Sequence, residues 1–243
     1  MESASENEPL VAVTQDGGVA IVRLNRPPAN AIELETTTAL TATLKQVAGD
    51  AGVEAVVLTG TGKFFSAGLD LKVVPAYDPP TQHAMVTALG EMVVTLYTVE
   101  KPVVAAVNGH AVAAGTLMTL ATDYRVACRG EVRFGLTGVR VGIPYPAAAM
   151  AIINAELAPA DRRYMLLGAR TMDAAEAVAR GIVDELHPCE RVLDRALEVA
   201  RDLATTPQES YASTKLQIRR ETIEQLRSHL TEDPHLESWL PTK

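Results

Sequence analysis

The sequence contains few of the residues that stabilise small secreted proteins or hold metal ions. Its two cysteines, Cys128 and Cys189, are far apart and do not form a Cys-x-x-Cys pattern. Neither a disulfide framework nor a zinc site is therefore expected. The five histidines lack the spacing of metal ligands, so the sequence predicts no metal site. Cysteine usage of this kind favours a reduced, cytoplasmic setting.

Long hydrophobic runs are also lacking. The longest uninterrupted apolar run lies near 147–153, far short of the roughly 20 residues that a membrane helix needs. The first eight residues are acidic and polar, which is the wrong character for a secretory or transit signal. We therefore expect no membrane segment.

Basic residues are outnumbered, with 22 Lys and Arg against 30 Asp and Glu and a net charge of −8. A nucleic-acid partner is not expected, because binding to phosphate backbones requires basic patches. An anionic small molecule is compatible with this charge if a few cations gather locally. Arg26, Lys63 and Lys72 are candidates for such a group.

Several common catalytic motifs are missing. Phe64 follows Gly62-Lys63 where a phosphate-binding P-loop requires Ser or Thr. Phe64 also occupies the first glycine position of a hydrolase nucleophile elbow around Ser66. A peptidase-like function for Ser66 would need a His and Asp relay, and none stands at a recognisable spacing. No G-x-G-x-x-G fingerprint follows a strand, so a dinucleotide fold has little support.

The hydrophobic pattern of the chain alternates between strands and helices for about 190 residues and is helical thereafter. This order predicts an α/β core with a helical C-terminal part. The tail at 235–243, which contains Trp239, is expected to fray rather than to pack on a partner subunit. The predicted strands are 10–14, 19–24, 55–58, 103–107, 124–127, 132–134 and 182–186, and the main predicted helices are 33–47, 81–99, 147–154, 159–167 and 173–180.

Two glycine-bearing segments, Phe65–Asp70 and Asn108–Gly115, are the most informative part of the sequence. Each follows a strand-like run and precedes a stretch that can begin a helix. Small residues let a ligand approach the backbone, and a helix start leaves N–H groups without intrahelical partners. Either segment alone would favour close helix–sheet packing. Together they favour a site in which two main-chain N–H groups hold one developing oxyanion.

These segments resemble motifs of the crotonase family, also called the enoyl-CoA hydratase/isomerase family. The resemblance covers most of the chain, in segments 24–31, 65–72, 101–115, 122–127 and 174–184. It implies an α/β fold in which residues 1–190 form a crotonase-like spiral of ββα turns. It also implies that residues 191–243 form a helical region that helps to assemble a homotrimer, or a hexamer made of two trimers.

The resemblance further implies that the ligand is an acyl-CoA thioester, with coenzyme A present as part of the substrate and no separate cofactor. The backbone N–H groups of Leu69 and Ala114 match the oxyanion hole of the family, so their side chains have no direct part in that role. The positions expected to contact the substrate or its CoA group are Arg26, Ala67, Gly68, Asp70, Leu71, Lys72 and His110.

The sequence departs from the family at the acids that transfer protons. Hydratases of the family use two glutamates, and their positions hold Leu117 and Gly138 here. Related isomerases keep one glutamate, at the second of these positions or at the position of Pro146. None of the three positions carries an acid here. Because Leu117 replaces one of the two acids that hydration uses, we expect enoyl-CoA isomerisation to be favoured over hydration, in fatty-acid metabolism. A catalytically impaired acyl-CoA carrier or sensor is the alternative.

Other residues could replace the missing base. Tyr145 lies in the corresponding loop, but an ordinary tyrosine pKa near 10 makes it a poor base at neutral pH. His110 has a suitable pKa, although it could equally support the backbone or touch CoA. Glu91 lies on a helix that could overhang the site, but a solvated glutamate is the commoner state. Asp70 is expected to cap a short helix at that point, and Asp123 is expected to be structural.

Overall fold

The computed structural model describes residues 8–233, 235, 239 and 240. Its strands are β1 (Val11–Asp16), β2 (Val19–Leu24), β3 (Ala55–Gly60), β4 (Phe64–Ser66), β5 (Val103–Val107), β6 (His110–Val112), β7 (Tyr124–Cys128), β8 (Arg133–Gly135), β9 (Thr171–Asp173) and β10 (Glu185–His187). Its α-helices are α1 (Leu34–Gly49), α2 (Pro79–Thr98), α3 (Ala114–Leu120), α4 (Ala147–Glu156), α5 (Pro159–Arg162), α6 (Ala174–Ala179), α7 (Val192–Ala204), α8 (Gln208–Ile218) and α9 (Arg220–Glu232).

The strands form two sheets that the chain visits alternately. The larger sheet has the order β1-β2-β3-β5-β7-β10 and is parallel except for the β1–β2 hairpin. The smaller sheet has the order β4-β6-β8-β9 and is parallel except for the β8–β9 pair. The strand pairs β3–β4, β5–β6 and β7–β8 each place one strand in each sheet before the next helix begins. This arrangement confirms the predicted α/β spiral of ββα turns.

The core lies on both faces of the larger sheet. Strands β3 and β5 are buried along their whole length, as expected for parallel strands that helices cover on both sides. Helix α7 packs against β3, β5 and β7 of its own chain, and α9 packs against α2 and α4. Much of the predicted C-terminal region therefore completes this core. The division at residue 190 and the trimer or hexamer stay predictions.

The helix ends follow ordinary capping rules. Glu33 precedes α1, and its carboxylate accepts hydrogen bonds from the N–H groups of Glu35 and Thr36. Asp78 does the same for Thr81 at the start of α2, which has proline at its first positions. Both helices begin within two residues of their predicted starts.

The sequence missed three short strands, β4, β6 and β9, because three residues are too few to show an alternating pattern. The first glycine-bearing segment was expected to precede a helix start, but no α-helix begins directly after it. Only a 3₁₀ turn, Val74–Ala76, stands between that segment and α2. The predicted strand at 182–186 is found as β10, and the predicted helix at 159–167 is α5 followed by a π-helical turn, Arg163–Leu167.

The sequence suggested no disulfide framework, but Cys128 and Cys189 form a disulfide. Strand β10 lies parallel to β7, and His187 is paired with Cys128. A 3₁₀ turn after β10, Cys189–Arg191, then brings the second cysteine to the end of β7. The sequence separation of 61 residues hides this contact. The cytoplasmic setting stays a prediction.

The expectation that the C-terminal tail frays is wrong for its described residues. Trp239 is only 4% exposed, and its indole Nε1–H donates to the Pro144 carbonyl at 2.9 Å. The N–H of Leu240 donates to the Gln82 side-chain oxygen at 3.0 Å. The predicted tail at 236–238 and 241–243 lies outside the described residues.

The structure also bears on membrane insertion. Across residues 8–233 and the three further positions described, we find no helix with the length and apolar character that crossing a bilayer requires.

Candidate active site

An apolar cavity of about 100 Å³ lies among α2, α3, α4 and a 3₁₀ turn, Gly138–Val141. Most of the residues around it carry aliphatic side chains or none. The lining consists of Ala67, Leu69, Leu71, Leu89, Gly90, Val93, Ala113, Ala114, Leu117, Thr137, Gly138, Val141, Ile143, Pro144, Tyr145, Pro146, Ala149 and Trp239. Both glycine-bearing segments contribute to this lining.

The backbone around Gly68 leaves the Leu69 N–H without an acceptor. Leu69 forms an isolated bridge with Ile32, in which Ile32 N–H donates to the Gly68 carbonyl and Asp70 N–H donates to the Ile32 carbonyl. Gly68 has a φ of +85°, a conformation that favours glycine. In the described part of the chain, no oxygen accepts from the Leu69 N–H. This amide is therefore available to a ligand in the cavity that Leu69 lines.

The second segment presents the Ala114 N–H in the same region. Ala113 has a φ of +50°, which is strained for a residue with a Cβ. Its N–H donates to the Gly135 carbonyl, and its carbonyl accepts from the Leu117 N–H, so both sides of this residue are fixed. The Ala114 N–H, at the start of α3, has no acceptor among the described residues.

The two segments are in direct contact. A methyl group placed on Gly68 would lie 2.7 Å from the Ala113 Cβ and 3.1 Å from the Ala114 nitrogen. A methyl group on Gly115 would overlap the Ser66 carbonyl. The absence of side chains at Gly68 and Gly115 therefore lets the two main chains approach each other, with two unpaired N–H groups at one cavity. Such donors can stabilise a negative charge that develops on a ligand oxygen.

All three positions from which acids are missing line this same cavity. Leu117 extends from α3, Gly138 begins the 3₁₀ turn, and Pro146 immediately precedes α4. Among the described lining residues, none carries a carboxylate or an imidazole. The described part of the cavity therefore offers two unpaired main-chain N–H groups and no carboxylate that could move a proton.

Tyr145 is the titratable side chain in the lining. Its hydroxyl oxygen accepts from the Gly138 N–H at 3.0 Å. Burial raises the pKa of Tyr145 to about 12, although this hydrogen bond opposes the shift. The phenol is therefore neutral at physiological pH, and the expectation that Tyr145 could act as a base is not favoured. In this state the hydroxyl can still donate its own proton in a hydrogen bond.

We expect Tyr145→Phe to reduce the loss of stability at alkaline pH. The pKa of Tyr145 is raised in the folded protein, so its contribution is complete below pH 10, the ordinary value, and is lost as the pH rises to about 12. The free energy of unfolding, measured by urea denaturation at several pH values in this range, should fall more steeply for the unaltered protein. If the free energy of unfolding falls equally with pH in both proteins, the Tyr145 hydroxyl is not buried as described.

Comparison with known proteins places the chain in a family. The family model described as enoyl-CoA hydratase/isomerase matches residues 14–241. The chain belongs to this family. A putative enoyl-CoA hydratase from Thermus thermophilus is 35% identical over 207 residues, which cover 83% of this chain and 80% of that relative.

Solved structures of the enoyl-CoA hydratase/isomerase family have the same fold. A probable enoyl-CoA hydratase, EchA3, from Mycobacterium tuberculosis has a TM-score of 0.86 at 30% identity, over 92% of this chain and 94% of that one. A second structure of that same protein, named as an enoyl-CoA isomerase, has a TM-score of 0.84 at 30% identity, over 91% and 96% of the two chains. The chain is thus similar to one protein that carries both names.

Some of the residues expected to contact CoA line the cavity, and others form contacts within the protein. Ala67 and Leu71 line the cavity, and Leu71 is 51% exposed at its edge. The Arg26 guanidinium instead forms an ion pair with Asp70 at 2.7 Å. Burial would raise the pKa of Asp70, but hydrogen bonds from the Lys72 N–H and from Arg26 outweigh it and lower the pKa. Arg26 and Asp70 therefore join two loops beneath the site.

Three alternative acid or base residues lie away from the cavity lining. The ring of His110 packs against Phe64, with centroids 5.0 Å apart. Glu91 is half-exposed and faces Lys45. Asp123 is buried in ion pairs with Lys215 and Arg219, at 2.7 and 2.9 Å. None of these side chains is positioned to act on a ligand in the cavity.

Ser66, the residue that a peptidase-like function would require, is also engaged elsewhere. Its buried hydroxyl donates to the Asn30 carbonyl at 2.8 Å and accepts from the Gly68 N–H at 3.1 Å. Both partners belong to the main chain. Ser66 thus supports the glycine-bearing segment and does not form a nucleophile relay.

Sequence reasoning placed Trp239 in a fraying tail and did not predict that it lines the cavity. A signal for it existed, because Trp239-Leu240 is a large apolar pair within a short, otherwise mostly polar tail. Large apolar groups of this kind are usually covered in folded proteins.

Proposed function

We propose that this member of the enoyl-CoA hydratase/isomerase family binds an acyl-CoA or enoyl-CoA thioester and polarises its carbonyl group. The thioester oxygen accepts hydrogen bonds from the N–H groups of Leu69 and Ala114. The observation that supports this most strongly is the pair of unpaired amides, on two segments in contact, at the edge of an apolar cavity. The acyl group would occupy that cavity, and the CoA group would leave it near the exposed side chains of Leu71 and Lys72.

Polarisation of this kind promotes reactions in which charge moves onto the thioester oxygen. Removal of a proton beside the carbonyl produces an enolate-like oxyanion, and so does addition of water to a conjugated alkene. A fixed hydrogen-bond donor directed at that charge typically contributes a factor of about 10²–10³ in rate. The two amides therefore form a catalytic element without any acidic side chain.

We propose that isomerisation is favoured over hydration, with a role in fatty-acid metabolism. Addition of water requires two positioned groups that transfer protons, and Leu117 and Gly138 occupy their places. Isomerisation moves one proton from one carbon of the substrate to another, so it needs a single proton-transfer group where hydration needs two.

A second function is favoured by the lack of carboxylates and imidazoles in the described lining. A chain that kept the oxyanion hole and lost its base would bind acyl-CoA without turning it over. It would then act as a carrier or sensor of acyl-CoA.

Calorimetry and activity assays on the purified protein separate these functions. We expect butyryl-CoA to bind and free CoA, which lacks the carbonyl and the acyl group, to bind more weakly. We also expect 3-enoyl-CoA to be isomerised faster than 2-enoyl-CoA is hydrated. Binding without either reaction would support the carrier, and faster hydration would contradict the preference for isomerisation. If no thioester binds, both functions are excluded.

A further inference from the structure

The C-terminal tail contributes a wall of the cavity through its one tryptophan. Trp239 is buried, and it lines the cavity together with Pro144 and the α2 residues Leu89 and Val93. Its Nε1–H donates to the Pro144 carbonyl at 2.9 Å, which fixes the plane of the ring. The indole is the largest side chain in the lining, so it excludes more volume than any other residue there.

Two further hydrogen bonds hold this part of the tail in place. The Asp233 carboxylate accepts from the Ala147 N–H, at the start of α4, at 2.6 Å. The Leu240 N–H donates to the Gln82 side chain of α2 at 3.0 Å. The tail is thus bonded on either side of Trp239 to the two helices that border the cavity.

The helical walls near Trp239 have little room to move. A methyl group on Gly90 of α2 would lie 3.0 Å from the Leu230 Cδ2 of α9 and 3.8 Å from the Ala148 Cβ of α4. Helices α2, α4 and α9 are therefore closely packed at this level. The indole is then the side chain whose size decides how far the cavity extends.

We infer that Trp239 is a specificity-determining residue that restricts the ligand to thioesters with a short, apolar acyl group. This inference rests on the proposed binding of acyl-CoA. The cavity is small, about 100 Å³, and its described lining carries no charged side chain that would select a polar acyl group. A short apolar acyl group suits a cavity of this size and character.

The affinities of butyryl-, hexanoyl- and decanoyl-CoA for three proteins test this inference. We expect the unaltered protein and Trp239→Phe, which keeps an aromatic ring in place, to bind butyryl-CoA most tightly. We expect Trp239→Ala to bind hexanoyl-CoA more tightly than butyryl-CoA, on the order of tenfold, since each buried methylene contributes about fourfold. Trp239→Leu removes less volume, so its affinity should shift from butyryl-CoA towards hexanoyl-CoA by a smaller factor. This variant also tests the inference if the alanine variant does not fold.

Trp239 also provides its own signal, because it is the only tryptophan in the chain. Butyryl-CoA should change the fluorescence of the unaltered protein, and free CoA should not. If the alanine and leucine variants keep the original order of affinities, Trp239 does not set chain length, although thioester binding stands. If no thioester binds the unaltered protein by calorimetry, the proposed function fails and this inference fails with it.

Discussion

Replacing Leu69 by proline is expected to lower the turnover of an enoyl-CoA by about 10²–10³, because one of two oxyanion donors is removed. Proline has no N–H, and the Leu69 N–H has no structural acceptor among the described residues. The substitution therefore removes the catalytic donor without breaking a hydrogen bond of the fold. If the protein proves to be a carrier, the same loss should appear as roughly tenfold weaker binding of butyryl-CoA.

Leu69→Ala is the matched control for this experiment. It keeps the N–H and removes only a partly buried side chain, so turnover should stay within a few-fold of the original. Urea denaturation of both variants would show whether either effect is a loss of folding. If the alanine and proline variants lose turnover equally, the Leu69 side chain is required for the reaction and its N–H is not.

Replacing Leu117 by glutamate is expected to raise the hydration of a 2-enoyl-CoA by about 10²–10⁴, the contribution of one positioned acid or base. Leu117 extends from α3 into the cavity lining, one turn after the Ala114 amide. A carboxyl group there would stand beside the polarised thioester. Its apolar surroundings would raise its pKa above the ordinary glutamate value, towards the range useful for proton transfer at neutral pH. The measurement is the steady-state hydration rate.

Leu117→Gln and Gly138→Glu are the comparisons for this variant. The glutamine matches the size of glutamate but cannot transfer a proton, so it should give no gain. Glutamate at 138 should also give none, because its Cβ would lie 2.7 Å from the Ile143 carbonyl and 3.1 Å from the Tyr145 ring. A higher hydration rate with Leu117→Gln would show that a polar side chain is sufficient and that proton transfer is not the cause. A gain with Gly138→Glu would show that the turn yields and that this glycine alone limits the rate.

The overall fold was predictable because its signals are local and repeated. Continuous apolar runs identified β3 and β5, and helical spacing of apolar residues identified α2. The two glycine-bearing segments identified the site because close approach of two main chains needs small residues at fixed points, such as Gly68 and Gly115. The positions of Leu117, Gly138 and Pro146 around one cavity agree with the correspondence to the family that was drawn from sequence.

What the sequence did not reveal depends on contacts between distant segments. The Cys128–Cys189 disulfide arises from the parallel pairing of β7 with β10, which no spacing rule contains. The burial of Trp239 depends on the carbonyl of Pro144 and on the groove between α2 and α4. The strained φ of Ala113 has no sequence signal at all, because alanine does not favour that conformation. Its cause is the pair of hydrogen bonds that fix it on either side.

The carbonyl stretching frequency of a bound thioester tests the central claim most directly. An infrared difference spectrum of butyryl-CoA labelled with ¹³C at the carbonyl isolates this one bond. Hydrogen bonds from the amides of Leu69 and Ala114 should lower its frequency below that of the thioester in water, and Leu69→Pro should reverse most of the shift. A bound thioester whose frequency equals the value in water, or whose shift survives in Leu69→Pro, would contradict the account.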